Sequence, residues 1–317
     1  MIFYGVTNSG EKVKLNNLLK VNLNIEEYVP ADDLTVMFAK AISTEFIQML
    51  IYVDDKLFFK GIVDEQTTVF IEKYTYTKFV VRNMASTLLD NEALPKVYIC
   101  PNDITIFRKH IEPFGIDEYI NNNSLNRGNI KISKGQSQWD VVNNFCNVCL
   151  NSSPEVSTDG KLLMNGYIPT KTIKFGLNTQ FPIDYAHICK KPHKLISQVF
   201  LKIDYKDSYK YNLKNDFALN KGVLRHRYIN ATDTTFYSVN TAQKVIEKSN
   251  NDYINITIKT PKFMADVIGQ NAEFVIGETV YKNMYIYKVA YSYNQGKENT
   301  TIALRNRSKG VKLNVVT

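Results

Sequence analysis

Hydrophobic and polar positions alternate through much of residues 1–90. Leu19, Val21, Leu23 and Ile25 occupy every second place in one run, and Leu34, Val36 and Phe38 in another. A period of two puts one set of side chains on one face, so both runs predict half-buried strands. The polar, Pro-containing residues 28–33 separate them. The clearest hairpin passes from residues 46–53 through Asp54-Asp55-Lys56 into 57–63, because Asp side chains bond nearby backbone amides in tight turns. Residues 69–81 add two further β-branched and aromatic runs. Short strands with regular turns predict a small antiparallel barrel or sandwich.

From about residue 83 to 176 apolar residues recur three and four apart instead, which predicts helices. Residues 84–89, with Leu94, form the first. In the second, Ile104, Phe107 and Ile111 share a face, Arg108 and Lys109 point away, and Pro113 and Gly115 close the helix. The third opens on Ser137 as a hydroxyl cap with Asp140 three residues on. Trp139, Val142, Phe145, Cys146, Cys149 and Leu150 then follow at helical spacing. Trp139 is expected to anchor this region's core. Residues 121–129 have neither period and predict a polar surface loop.

After a connector at 176–194 that carries Pro182 and Pro192, strand patterning returns at 199–203, 209–213, 253–258 and 274–276. Residues 241–248 predict a short helix with Ala242, Val245 and Ile246 inward. The organisation expected is a β domain over 1–90, a helix-containing insert over 91–180 and a second β domain with a short helix over 181–317. The fold class is mainly β with an α+β insert, two similar small antiparallel β barrels flanking a helix-containing domain. The similarity rests on an echo. Phe59-Lys60 and Tyr281-Lys282 are each followed, 20 and 21 residues after the aromatic, by residues 79–83 and 302–306, both ending in Arg-Asn. That suggests a duplicated β unit.

Composition narrows the classes. At 317 residues, with 44% hydrophobic and 22% charged, the chain has enough apolar mass to fold and is not a disordered tail. Its longest apolar run, 46–53, is interrupted by Gln48 and falls well short of the roughly 18 residues of a spanning helix. Residues 1–5 lack a basic segment leading into an apolar stretch, so the chain is expected in the cytosol or released by lysis. The net charge of +8 comes mostly from dispersed Lys, which reads as a solvated basic surface rather than a specific nucleic-acid site. Four cysteines are too few for a disulfide framework.

Candidate chemistry is sparse. Cys146-x-x-Cys149 has the spacing of half a zinc site, to which His187, Cys189 and His193 could add. Both cysteines also fall on the apolar face of the capped helix, where Cys is a small buried hydrophobe, and that reading is preferred. The four histidines, at 110, 187, 193 and 226, lie in no nucleophile or zinc signature, and Gly115, Gly128 and Gly135 are isolated rather than part of a phosphate loop. The acid pairs Asp32-Asp33, Asp54-Asp55 and Asp64-Glu65 invite a glycosidase reading, but neighbouring acids on a strand face opposite ways and turn acids are common. The 20 Tyr residues read as half-buried pleat residues rather than stacking platforms. No catalytic, cofactor-binding or metal-ligating residue is assigned.

Three phrases carry a resemblance: residues 57–66 (LFFKGIVDEQ), residues 82–93 followed by Tyr98-Ile99-Cys100-Pro101, and residues 135–142 with Phe145-Cys146. They are similar to the baseplate hub proteins of contractile phage tails and tailocins, the late control protein D-like group. The likeness is strongest over residues 46–150 and diffuse from 195 onward. It implies a non-enzymatic structural protein with two tube-like β barrels per chain. Three copies would form a ring that adapts a six-fold tail tube to a three-fold central spike. The implied partners are a homotrimer of the chain itself, the tail tube protein, the central spike protein, the tape measure protein and baseplate wedge or LysM adaptor proteins, with no membrane insertion and no specific nucleic-acid binding. The implied location is the tail baseplate of a virion or tailocin particle, assembled in the host cytoplasm, and no spike or lysozyme extension is expected after the second β domain. The competing classes are a tail-associated cell-wall hydrolase and a sugar-binding module.

Overall fold

The alternating runs fold as their period predicts. A computed structural model describes residues 1–72, 74–176, 179, 181–202, 208, 209, 211–230 and 238–307, the last of these from 238 to 241 as backbone only. Its first strands are β1 (Ile2–Val6), β2 (Lys12–Leu15), β3 (Leu18–Glu26) and β4 (Asp33–Phe38). Val21, Leu23 and Ile25 of β3 and Leu34, Val36 and Phe38 of β4 are buried, while their neighbours face outward. Next come β5 (Gln48–Val53), β6 (Lys56–Ile71) and β7 (Tyr74–Asn83), and the seven strands pair antiparallel in the order β3-β4-β7-β6-β5-β1-β2.

The predicted hairpin is present, with two differences. Asp54 and Asp55 both take positive φ, 49° and 60°, the backbone of a tight two-residue turn. Phe46 lies before β5 rather than in it. Its ring rests on Gly5, where an added Cβ would come within 2.5 Å, and only glycine leaves that space. β6 also runs far past Ile62, its last partner on β5, into the polar residues 64–68.

The insert contains α1 (Ala85–Leu89), β8 (Lys96–Ile99), α2 (Asp103–His110), β9 (Tyr119–Ile120), β10 (Asn129–Ile132), α3 (Gln138–Cys149), β11 (Glu155–Val156) and β12 (Leu162–Leu163). The Ser137 side chain accepts from the Asp140 N–H at 3.1 Å while Asp140 accepts from the Ser137 N–H at 2.9 Å, the reciprocal cap read from the sequence. Trp139, Val142, Phe145, Cys146 and Cys149 are buried in one core with Leu88, Ile106 and Ile130. The predicted face of α2 needs correction: Ile104 is exposed, and Ile106, Phe107 and His110 point inward. Leu94 is likewise exposed beyond α1.

The remaining elements are β13 (Thr172–Gly176), β14 (Tyr185–Lys190), β15 (Gln198–Lys202), β16 (Tyr211–Lys214), α4 (Asp216–Leu219), β17 (His226–Asn230), α5 (Ser238–Asn251), β18 (Ile254–Thr260), β19 (Asn271–Ile276), β20 (Thr279–Asn294) and β21 (Lys297–Asn306). The predicted strand over 199–203 is β15, though Ile203 lies outside the described residues, as does Lys210 of the run at 209–213. These two strands do not join the main sheet. With β17 they form a separate three-stranded sheet whose Val199, Leu201 and Leu213 pack on Ala242 and Ile246 of α5.

Two compact units result. One comprises Met1–Ile168, Pro261–Gly269 and Lys288–Thr301, and the other Pro169–Thr260, Gln270–Tyr287 and the chain from Ile302. The fold is mainly β with a helix-containing insert, and it repeats a strand set. β5, β6 and β7 are 6, 16 and 10 residues long, as are β19, β20 and β21. Gln48 and Asn271, Lys56 and Thr279, and Tyr74 and Lys297 begin the paired strands at one constant spacing. Arg82-Asn83 and Arg305-Asn306 therefore match, as expected. Phe59-Lys60 and Tyr281-Lys282 do not: Phe58 corresponds to Tyr281. That one-residue slip would turn every side chain to the other face.

The two sets also share a buried side-chain clamp. Thr77 Oγ1 donates to the Lys40 carbonyl at 2.8 Å and accepts from the Ile42 N–H at 3.0 Å. Its counterpart, Thr300 Oγ1, donates to the Lys262 carbonyl at 2.6 Å and accepts from the Met264 N–H at 3.2 Å. Both threonines are fully buried, and each ties down the loop that leaves the neighbouring strand.

Candidate assembly interface

Several of the residues with candidate chemistry hold structural contacts. Burial pushes the Cys146 and Cys149 thiols above their ordinary range, so these cysteines are apolar core side chains rather than nucleophiles. Among the described residues no three His, Cys, Asp or Glu side chains are grouped as metal ligands; His187 and Cys189 lie on β14, and His193 in the turn after it. Asp64 accepts from Arg82 Nε at 2.5 Å and Nη2 at 3.1 Å, and Asp90 from the same guanidinium at 2.6 Å. That pairing holds the Asp90 carboxyl below its ordinary range. Asn83, one residue on, donates to Asp32 at 2.8 Å and accepts from the Ala85 N–H at 3.0 Å, so it links β7 to the start of α1. Burial raises the Asp32 carboxyl to about 7, against the opposing pull of hydrogen bonds from the Glu26 N–H and Asn83. His110 is buried between the Tyr98 hydroxyl at 2.9 Å and Gln138 Oε1 at 2.7 Å.

What the fold offers instead is strand edge. Residues 288–294 of β20 lie antiparallel on β3, with Lys288 opposite Glu26, Ala290 opposite Asn24, Tyr291 opposite Leu23 and Tyr293 opposite Val21. Lys288 Nζ meets Glu26 Oε2 at 2.5 Å. Tyr291 is buried against Phe263, ring centroids 4.9 Å apart, and its hydroxyl donates to Glu298 at 3.0 Å. This joint covers the outer edge of β3.

The counterparts of these two edges, one in each strand set, are open among the described residues. Past Ile62 the outer edge of β6 has no partner strand among the described residues, and it ends in Phe70, 75% exposed, and Ile71, with Tyr74, 71% exposed, across the turn. β14 is the outermost strand beside β18, with Tyr185 exposed and Ala186 and Ile188 half-buried. Sequence reading missed these edges because β6 continues through Asp64-Glu65-Gln66-Thr67-Thr68, which scores as a break. The constant spacing between the two strand sets is the signal that finds it.

No family model matches the chain, and no curated protein matches it. Solved structures do. The tail protein from Neisseria meningitidis MC58 aligns over 96% of this chain and 96% of its own, with a TM-score of 0.72 and 14% identity. The 43 kDa tail protein of prophage MuSo2 from Shewanella oneidensis aligns over 97% and 99%, with a TM-score of 0.76 and 12% identity. An Escherichia coli component of the type VI secretion system, described as similar to the bacteriophage T4 tail proteins gp27 and gp5, aligns over 92% of this chain and 74% of its own, with a TM-score of 0.54 and 9% identity. The chain has the fold of phage tail proteins.

Proposed function

We propose that this chain is a structural component of a tail baseplate, a hub of which three copies close into a ring. The observation that carries this reading is the strand set repeated within one chain. Three chains with two similar β units each present six similar surfaces to a six-fold tube and three identical ones to a three-fold spike. Head-to-tail contacts related by three-fold rotation close such a ring and cover edge strands that one chain leaves unpaired. The tail protein fold supports the same reading, as does the structural use of Asp32, Asp54, Asp55 and Asp64, the acids that a hydrolase reading would recruit.

In this role the chain is not an enzyme. Its partners are its own copies, the tube, the spike, the tape measure and the surrounding baseplate proteins, and its place is the tail. Light scattering coupled to size exclusion should give three chains per particle, and negative-stain images should show a ring with six lobes. A monomer that clears cell-wall suspensions would replace the hub reading with the hydrolase one.

A further inference from the structure

We infer that the open edge of β6 in one copy pairs with the open edge of β14 in the next, in a register that the cis joint fixes. The inference rests on the ring reading above and adds which residues meet. It starts from the joint already made inside one chain, where β20 covers the edge of β3. β6 is the counterpart of β20, residue 65 standing for 288 and residue 71 for 294.

The counterpart of β3 follows from the threonine clamps. Thr77 faces Phe38 in register and holds Lys40, and Thr300 holds Lys262, two residues after Thr260. Leu34, Val36 and Phe38 of β4 therefore match Ile256, Ile258 and Thr260 of β18, all of them buried. Leu23 pairs with Leu34 and Ile188 with Ile256; Val21 pairs with Val36 and Ala186 with Ile258. So β14 stands where β3 stands, and among the described residues it is paired on one side only.

Transferring the cis register places Thr68 opposite Ile188, Phe70 opposite Ala186, Thr67 opposite Cys189 and Glu65 opposite Lys191. The occupant is a second copy of this chain for three reasons. The apolar tip of β6 and the half-buried Ala186 and Ile188 are the side chains that the joint would cover. The large Phe70 falls opposite the small Ala186. The ion pair at the end of the cis joint, Lys288 with Glu26, also returns with its signs exchanged, as Glu65 with Lys191. Like charges at that position would oppose the pairing.

The native Cys189 supplies the test. Residues opposite each other on antiparallel strands have Cα atoms about 4.5 to 5.5 Å apart, inside the span of roughly 4.4 to 6.8 Å that a disulfide bridges. In a Cys100→Ser background, Thr67→Cys under mild oxidant should give covalent trimers on non-reducing gels, each disulfide joining two thiols that the oxidant converts. Adding Cys189→Ser should abolish them. Mixing a tagged Thr67→Cys, Cys189→Ser chain with an untagged chain that retains Cys189 should give a mixed disulfide, which shows that the link is between copies. As a second readout, Glu65→Lys or Lys191→Glu alone should shift light scattering toward smaller species, and the two together should restore trimers. Trimers that neither cross-link nor respond to the charge exchange would overturn this register and leave the ring standing. Monomers of the unsubstituted chain at every concentration would overturn both.

Discussion

Asp32 gives the chain a pH dependence that can be worked through from its surroundings. Its Oδ1 accepts from the Glu26 N–H at 3.3 Å and its Oδ2 from Asn83 Nδ2 at 2.8 Å, and both bonds favour the carboxylate. Burial and the adjacent Asp33 favour the acid, and burial wins, which lifts the group from 3.8 to about 7. Between about pH 4 and pH 7 the folded chain holds a proton that the unfolded chain releases. Stability from this group is therefore fully present below about pH 4 and is lost as pH rises to 7. At about 1.4 kcal/mol per unit, a window of some three units amounts to about 4 kcal/mol.

The perturbation is Asp32→Asn, which removes the titration and keeps the shape. Urea unfolding of both proteins between pH 4 and 8 gives a difference from which the other titrating groups cancel. Wild type minus variant should fall by several kcal/mol as pH rises, with its steepest part at about pH 5 to 6, and level off toward pH 8. A difference that stays flat within about 0.5 kcal/mol would mean that the two hydrogen bonds outweigh burial and that Asp32 is ionised throughout.

Three further outcomes are expected. Trp139→Ala should cost about 3 to 5 kcal/mol in denaturant titration followed by circular dichroism, because the indole is buried in the insert core; a loss below about 1 kcal/mol would contradict that packing. Thr77→Val and Thr300→Val should each cost about 1 to 3 kcal/mol, since each takes the hydroxyl partner from one N–H, part-buried at Ile42 and buried at Met264, and from one carbonyl; a large loss at one site and none at the other would deny the clamps their equivalence. Gly61→Ala should destabilise by about 1 to 3 kcal/mol, because the new Cβ would lie 2.5 Å from the Arg82 carbonyl, a backbone atom that cannot swing aside; an unchanged urea midpoint would refute the crowding.

Strand identity was legible wherever one face is buried, because burial imposes the period of two seen at Val21-Leu23-Ile25 and Leu34-Val36-Phe38. α3 was legible for a local reason: its cap is a contact between residues three apart. The length of β6 was not, since Gln66 and Thr68 turn toward the 42–46 segment and bond its carbonyls, so the strand continues through residues that read as a polar break. Neither was the separate sheet of β15 to β17, because alternation marks a strand and says nothing of its neighbour. The candidate interface lies at the same limit. Which edges stay open is decided by pairings between residues far apart in sequence, and only the duplicated spacing carries a trace of it.

The Arg82 and Asn83 pair gives the junction between sheet and insert a mechanical character. Arg82 grips Asp64 on β6 and Asp90 just beyond α1, while Asn83 grips Asp32 before β4 and the first turn of α1. A pull on the insert is thus borne by several charged and amide contacts at once, side by side across three segments of chain. Contacts loaded together fail together, whereas a row of single ladder bonds unzips one by one. The insert is mounted on its sheet as a bracket is bolted through several layers, and it should transmit torque to β7 before it peels away.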